Sequence, residues 1–221
     1  MNPELGGRIA LFFMKISELE SLAEKDRQVL AREKDFEPYA IYLKLDKYRA
    51  GSLCSLDVHN FLVKREAEMS ESDAQLLVQM HSSAHNNKLS YTDFLRLVLP
   101  QEDPQLRARC TQRPTYAFKD EEECPENIEH FLAQLMTREI QLQKEVSARV
   151  RQIVESPDFD FTQLLEALEH RASENITQHH LRTFLKKFNL FPYDHEALQI
   201  LRRLDLGKTG VTLTLFHHYS L

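Results

Sequence analysis

The chain has 221 residues, of which 42% are hydrophobic and 28% charged, and its formal net charge is −6. This length and composition predict two small domains with packed cores and exclude a wholly disordered chain. A membrane partner is not expected, because no run of about 18 apolar residues occurs. Nucleic-acid binding is disfavoured by the acidic balance and by the lack of a basic stripe with interleaved aromatic residues.

The first predicted element is a long amphipathic helix near the N-terminus. Apolar residues recur there at helical spacing in a stretch rich in Glu, Lys and Gln. The predicted apolar face comprises Ile9, Phe12, Phe13, Ile16, Leu19, Leu22, Val29 and Leu30. An acidic residue precedes the short apolar core of "MNPELGGRIALFFMK" and no small-residue cleavage site follows, so a signal peptide is not expected.

The next element, "LDKYRAGSLCSLDVHNFL", has the frame of a calcium-binding helix-loop-helix. An EF-hand loop runs twelve residues, takes oxygen ligands at positions 1, 3, 5, 7, 9 and 12, and needs glycine at position 6. With Asp46 at position 1, Gly51 falls at position 6, Leu53 at the apolar position 8 and Asp57 at position 12. The spacing therefore predicts an EF-hand over this stretch.

Most ligands of that loop are missing. Tyr48 and Ala50 stand at positions 3 and 5 and offer no side-chain oxygen suited to a hard cation. We therefore expect the loop fold without the ion, with no calcium or other cofactor. The weak vestigial ligand candidates of the whole chain are Asp46, Ser52, Asp57 and Asp205.

A second loop frame follows in "SSAHNNKLSYTDFLRLVL". It places Ser82 at position 1, Leu89 at position 8 and Asp93 at position 12, followed by apolar residues at helical spacing. EF-hands pair through short strands at position 8. We therefore expect Leu53 and Leu89 to meet in a minimal β-bridge.

The whole pattern recurs in the second half of the chain. In "EHRASENITQHHLRTFL", Glu169, Ile176 and His180 stand at positions 1, 8 and 12, and Glu169 and Ile176 each lie 123 residues after the equivalents Asp46 and Leu53. A second amphipathic stretch precedes this loop. A fourth loop follows in "LDLGKTGVTLTLF" and is one residue shorter than its counterpart in the first half. These matches predict an internal duplication. The second apolar face comprises Ile128, Phe131, Leu132, Leu135, Leu142, Val146, Val150 and Ile153, and the fourth loop places Asp205, Gly210 and Val211 near positions 1, 6 and 8.

The halves are joined by "LPQEDPQLRARCTQRPTYAFKDEEECPE", which holds four of the eight prolines. Such a stretch is typical of an extended or irregular linker. Its basic part contains Arg107, Arg109 and Arg113. Either the linker is solvated, or these arginines contact a partner.

These elements predict an all-α fold with minimal EF-hand β-bridges, built from two degenerate EF-hand pairs, each preceded by a long amphipathic helix. The predicted domains are residues 1–99 and 127–221, with residues 100–126 as the linker. The expected core comprises Phe36, Leu43, Leu53, Phe61, Leu89 and Phe94 in the first half and Phe159, Leu165, Ile176, Phe184, Val211 and Phe216 in the second.

Motifs typical of enzymes are missing from the sequence. It contains no glycine-rich phosphate loop, no nucleophile elbow and no His-Glu-x-x-His. His179 and His180 are adjacent, as are His217 and His218, and neighbouring helical side chains point about 100° apart, so they do not favour one shared metal ion. We expect no catalytic activity and no small-molecule substrate.

Three cysteines lie far apart in the sequence, at Cys54, Cys110 and Cys124. An odd number at these spacings favours a reduced compartment over a disulfide framework or a zinc site. The expected location is therefore the cytoplasm.

The chain also resembles a known family. The motifs "DFEPY" and "DFDF", the run "LSYTDFLRLVLP" followed by "DPQLRARCTQRP", and "LQILRRLD" are similar to those of protist EF-hand proteins of cilia and flagella, including microtubule inner proteins of axonemal doublets. The resemblance implies a structural, calcium-independent role in the cytoskeleton, with tubulin and other axonemal proteins as partners.

Two functional hypotheses remain at this level. In the first, the chain is a constitutive structural protein of the axoneme, in which two modules grip two sites at once. In the second, it is a calmodulin-like or light-chain-like regulatory subunit that clasps a target helix with a weak calcium response. The depleted ligand sets favour the structural role, because calcium could not drive the opening that a sensor needs.

Overall fold

A computed structural model describes residues 1–118, 124–168 and 176–205. This part of the chain is mostly helical, and its one β-bridge joins Leu53 to Leu89. The prediction of an all-α fold is confirmed at this level. Among the described helices, none is long and apolar enough to cross a membrane. The helices are α1 (Pro3–Arg32), α2 (Pro38–Leu45), α3 (Ser55–Lys64), α4 (Glu71–His81), α5 (Tyr91–Val98), α6 (Pro104–Thr111), α7 (Glu126–Val154), α8 (Phe161–Ala167), α9 (Gln178–Lys186) and α10 (Asp194–Leu204).

The helices repeat in the register that the sequence predicts. Helices α1 to α4 begin at residues 3, 38, 55 and 71, and α7 to α10 begin at 126, 161, 178 and 194, so each start lies 123 residues after its counterpart. The carboxylates of Glu37 and Asp160, also 123 residues apart, cap α2 and α8 by accepting backbone N–H groups of the first turn. The counterpart of α5 falls outside the described residues.

Packing divides the chain into two compact units. The central unit is residues 23–141, and the terminal unit combines residues 1–22 with 142–221. This division differs from the predicted domains, because each long helix contributes one part to each unit. Leu30 of α1 belongs to the core of the central unit, whereas Ile9 of the same helix is buried in the terminal unit.

The central unit packs α2 to α5 around a continuous apolar core. Phe36, Leu53, Leu89 and Phe94 are fully buried, as predicted, and Phe61 is almost so. The prediction for Leu43 is wrong, because its side chain is 40% exposed. The buried face of α2 follows the helical spacing of Pro38, Ile41, Tyr42 and Leu45 instead, and residue 43 lies off that face.

The terminal unit has an aromatic core. The rings of Phe13 and Phe184 lie 5.9 Å apart between centroids, and Phe184 lies 5.3 Å from Phe188. Of the predicted core residues, Ile176 and Phe184 are buried. The prediction is wrong in degree for two others, Phe159 and Leu165, which are only partly buried. Val211 and Phe216 lie outside the described residues.

Two adjacent glycines of α1 meet Phe188 differently. A Cβ atom on Gly6 would lie 2.6 Å from Cζ of the Phe188 ring, which is closer than real contacts allow, whereas one on Gly7 would lie 3.7 Å from Cδ1. The absence of a side chain at Gly6 therefore lets the ring rest directly on the helix backbone.

We expect Gly6→Ala and Gly7→Ala to change stability with opposite signs. Alanine in a helix gains up to about 1 kcal/mol over glycine, so Gly7→Ala should stabilise the protein. Gly6→Ala should destabilise it by about 1 kcal/mol or more, because the overpacked ring must shift. Thermal unfolding followed by circular dichroism measures both, and equal stabilisation by the two changes would show that the Phe188 ring moves freely.

The predicted linker, residues 100–126, contains a helix. Asp103 caps α6 by accepting the N–H of Leu106 at 2.8 Å, and Pro104 occupies the first turn, where its missing N–H costs nothing. Leu106 and Cys110, one turn apart, are buried in the central core. The prediction of an extended or irregular linker is therefore wrong for Pro104–Thr111, because Pro104 begins a helix there.

All three cysteines are free thiols. Cys110 and Cys124 are buried, and burial raises the pKa of both thiols, to about 11 for Cys124. Arg113 and Arg109 lower the pKa of Cys110, but by less than burial raises it. Both side chains therefore stay protonated at neutral pH and pack as small apolar groups.

Candidate functional site

The first loop is closed by its own carboxylate. Asp46, at position 1, is 2% exposed, and its two oxygens accept the backbone N–H groups of Ala50 and Gly51, each at 2.8 Å. Gly51 adopts a φ of 72°, which favours glycine. A negative charge bonded in this way to two N–H groups stabilises the turn.

The other ligand positions of this loop differ in their surroundings. Tyr48, at position 3, is 85% exposed. Asp57, at position 12, accepts the N–H of Cys54 at 2.8 Å and so caps α3. Ser52, at position 7, is half-buried. Asp46 and Asp57 thus both accept hydrogen bonds from backbone N–H groups.

The second loop repeats this backbone with different side chains. Asn87 takes the place of glycine at position 6 with a φ of 57°, a conformation that asparagine tolerates. Ser82, at position 1, is buried and donates to Asn86 Oδ1 at 3.2 Å. Both loops also share a positive φ at position 4, at Arg49 and His85.

The two loops join at position 8, as predicted. Leu53 and Leu89 exchange N–H···O bonds of 2.9 and 2.8 Å in an antiparallel bridge. The hydroxyl of Tyr42 donates to the carbonyl oxygen of Gly51 at 2.9 Å. Burial, with the Asp46 and Asp93 carboxylates, raises the pKa of Tyr42 to about 12, so it remains a donor at neutral pH.

Position 12 caps the following helix in every loop where it is described. Asp93 accepts the N–H of Ser90 at 3.2 Å, and Nδ1 of His180 accepts the N–H of Thr177 at 3.3 Å. In the fourth loop, Asp205 ends α10, and the remainder lies outside the described residues, as does Glu169 of the third. The part of the chain that the structure describes contains no group of three His, Cys, Asp or Glu residues placed to hold a metal ion.

The three predicted partner-contact arginines differ in their surroundings. Arg113 donates to the carbonyl oxygens of Ala31 and Glu33 at 2.8 and 2.7 Å, at the C-terminal end of α1. Arg107 donates to the carbonyl oxygen of Pro100 at 3.2 Å. Arg109 is exposed on α6. Arg113 therefore links the C-terminal end of α1 to the stretch after α6, whereas the Arg109 side chain is exposed to solvent.

A group of buried charges in the central unit has no counterpart in the predictions. Glu24, Arg27 and Glu139 are each no more than 3% exposed. The Arg27 guanidinium pairs with both carboxylates and also donates to the carbonyl oxygen of Leu97 at 3.1 Å. His81 Nε2 lies 3.5 Å from Glu139 Oε2.

The sequence contains a signal for these charges. The predicted apolar face of α1 skips from Leu22 to Val29, and those two residues are each 37% exposed. The face instead continues through Ala23, Glu24, Arg27 and Leu30, at helical spacing. A polar interval in an otherwise regular apolar face therefore indicated where charges are buried.

Comparison with known proteins found no matching family model, no similar curated protein and no similar solved structure.

Proposed function

We propose that the chain is a non-catalytic, EF-hand-like structural protein whose loops keep their conformation without calcium. The observation that carries this proposal is the Asp46 carboxylate, which bonds to backbone N–H groups of its own loop. Helices α2 to α5 are proposed as a degenerate EF-hand pair. The position-8 bridge and the shared backbone conformation at positions 4 and 6 support that identification.

The proposed setting is the axoneme of cilia or flagella, with tubulin and neighbouring axonemal proteins as partners in the doublet lumen. This placement is based on the resemblance of "LSYTDFLRLVLP" and the motifs around it. An acidic protein gains no long-range attraction to the acidic outer surface of a microtubule, which favours a luminal or partner-mediated site. In such a role, the protein binds its partners through fixed surfaces at a fixed spacing, whereas a sensor depends on a calcium-driven change of conformation.

Calcium titration of the full chain, by calorimetry with circular dichroism, tests the proposal. We expect no heat of binding and no spectral change up to millimolar calcium, because positions 3 and 5 lack side-chain oxygen ligands. The double variant Tyr48→Asp with Ala50→Asp supplies the missing carboxylates and serves as the positive control.

A micromolar midpoint with a conformational change in the unmodified chain would overturn the structural proposal and favour the regulatory subunit. If the chain does not bind calcium, the next experiment is to look for the protein among the salt-resistant proteins of doublet microtubules. If the protein is missing from that fraction, the axonemal placement is wrong, although the calcium-independent fold would stand.

A further inference from the structure

The terminal unit carries a cationic groove between the N-terminal part of α1 and the C-terminal part of α7. Its volume is about 320 Å³. Arg8, Lys15 and Arg149 line it. Arg8 and Arg149 form no ion pair among the described residues, and Lys15 pairs only with the exposed Glu18 at 3.0 Å.

The groove also has an apolar part. Phe12 and Ile153 form its floor and are 6% and 4% exposed, whereas Leu11 is 62% exposed beside them. A volume of 320 Å³ is near the lower limit of about 300 Å³ for binding pockets, so it suits one or two side chains. Its occupant should therefore combine a negative charge with an apolar group.

The internal duplication provides a comparison site in the central unit. There, Asp26 of α1 is buried, forms an ion pair with Arg138 of α7 and accepts a hydrogen bond from Gln134 at 2.9 Å. The 123-residue offset relates residues 26 and 149, 138 and 15, and 134 and 11. The terminal unit thus has Arg149 in place of Asp26, Lys15 in place of Arg138, and Leu11 in place of Gln134.

The terminal unit therefore lacks a carboxylate at the position of Asp26 but keeps a cation, Lys15, at the position of its partner Arg138. In the central unit the chain itself supplies the anion, Asp26. In the terminal unit both related positions, Lys15 and Arg149, carry cations, which is unfavourable without an anion between them. The floor remains apolar in both copies, since Phe12 and Ile153 correspond to the buried Leu135 and Leu30.

We propose that this groove binds an acidic segment of a protein partner, with a carboxylate between Lys15 and Arg149 and an apolar side chain against Leu11 and Phe12. The arginine and lysine donors suit a carboxylate, and the carboxylate of Asp26 in the central unit is the internal precedent for that position. The apolar floor and the exposed leucine favour a peptide over a small inorganic anion. The inference does not depend on the axonemal placement or on calcium.

Fluorescence anisotropy of the full chain with a labelled, capped DELDEL peptide at low ionic strength tests the inference. We expect half-saturation below about 1 mM, which is typical of a single small contact. Arg149→Asp should weaken binding by about tenfold or more, because it removes one attraction and adds a repulsion. Lys25→Asp, the same charge change at an exposed position of α1 outside the groove, should leave affinity within about twofold.

The key variant is expected to fold. An aspartate at position 149 can pair with Lys15 as Asp26 pairs with Arg138, so circular dichroism should show melting at or above that of the unmodified chain. The proposal is overturned if the unmodified chain fails to bind DELDEL up to millimolar peptide, or if Arg149→Asp binds it equally well. Equal binding of an uncharged NQLNQL peptide, or displacement by inorganic phosphate at the peptide's concentration, would also overturn it.

Discussion

Replacing Glu139 by leucine is expected to lower the free energy of unfolding by about 3–5 kcal/mol. Glu139 is fully buried on α7 and pairs with the guanidinium of Arg27, which is 3% exposed. Removing the carboxylate leaves a buried cation with less compensation, and burying such a charge costs far more than the lost contact itself. Against a typical total stability of about 5–15 kcal/mol, this is a large fraction.

The double variant Arg27→Met with Glu139→Leu should recover most of that loss. Replacing both members of a buried pair by apolar groups of similar size is often neutral or stabilising. Glu24 keeps partners in that variant, because its carboxylate also accepts the N–H groups of Gln101 and Glu102 at 3.0 and 3.1 Å. A double-mutant cycle then separates the coupling of the pair from the cost of isolating one charge.

Urea unfolding followed by far-ultraviolet circular dichroism is the suitable measurement, since the chain is helical and has no tryptophan. Asp194→Asn is the matched control. It breaks the ion pair between Asp194, whose side chain is 77% exposed, and Arg182, whose side chain is 50% exposed. The change should therefore cost less than about 1 kcal/mol. If Glu139→Leu costs no more than this control, the buried charges do not hold the central unit together.

Local sequence patterns predicted the helices outside the linker, because the determinants of a helix lie within a few residues of it. The Glu37 and Asp160 caps, the apolar periodicity and the 123-residue offset are all local signals. The spacing within α2 was also available to show that residue 43 lies off the buried face. The error at Leu43 therefore came from weighing its apolar character above its position.

Tertiary partners were not predictable in the same way. Arg27 and Glu139 are 112 residues apart in sequence, and nothing in either helix alone states that they meet. The division of α1 between two units likewise depends on which segments share a core. A polar interval such as residues 24–28 indicates that something lies opposite, but only the fold identifies the partner.

At the candidate site, the bridge between Leu53 and Leu89 was predicted, but the hydrogen bonds of the loop carboxylates were not. Ligand counting predicts that Asp46 and Asp57 do not form a calcium site. It did not indicate that these carboxylates bond to backbone N–H groups of their own loop, at Gly51 and Cys54. The reason is that residue type does not specify which backbone N–H groups a carboxylate meets, since this depends on the local geometry of the loop.

Asp46→Ala is expected to lower the free energy of unfolding by about 3 kcal/mol, whether calcium or a chelator is present. The change removes two 2.8 Å bonds to a charged acceptor, each worth about 1.5–3 kcal/mol, and leaves two loop N–H groups without their partner. Ser82→Ala, at the same position of the second loop, removes one neutral bond and should cost about 1 kcal/mol.

Tyr42 gives a second readout of the same carboxylate. Because the Asp46 charge adds to burial in raising the pKa of Tyr42, Asp46→Ala should move that pKa down from about 12, as followed by ultraviolet absorbance during alkaline titration. A cost of Asp46→Ala that appears only when calcium is present would mean that an ion holds the loop. Equal small costs for Asp46→Ala and Ser82→Ala would instead mean that the position-8 bridge alone fixes the pair. A large, calcium-independent cost confined to Asp46 is the result that an ion-free loop closed by its own side chain requires.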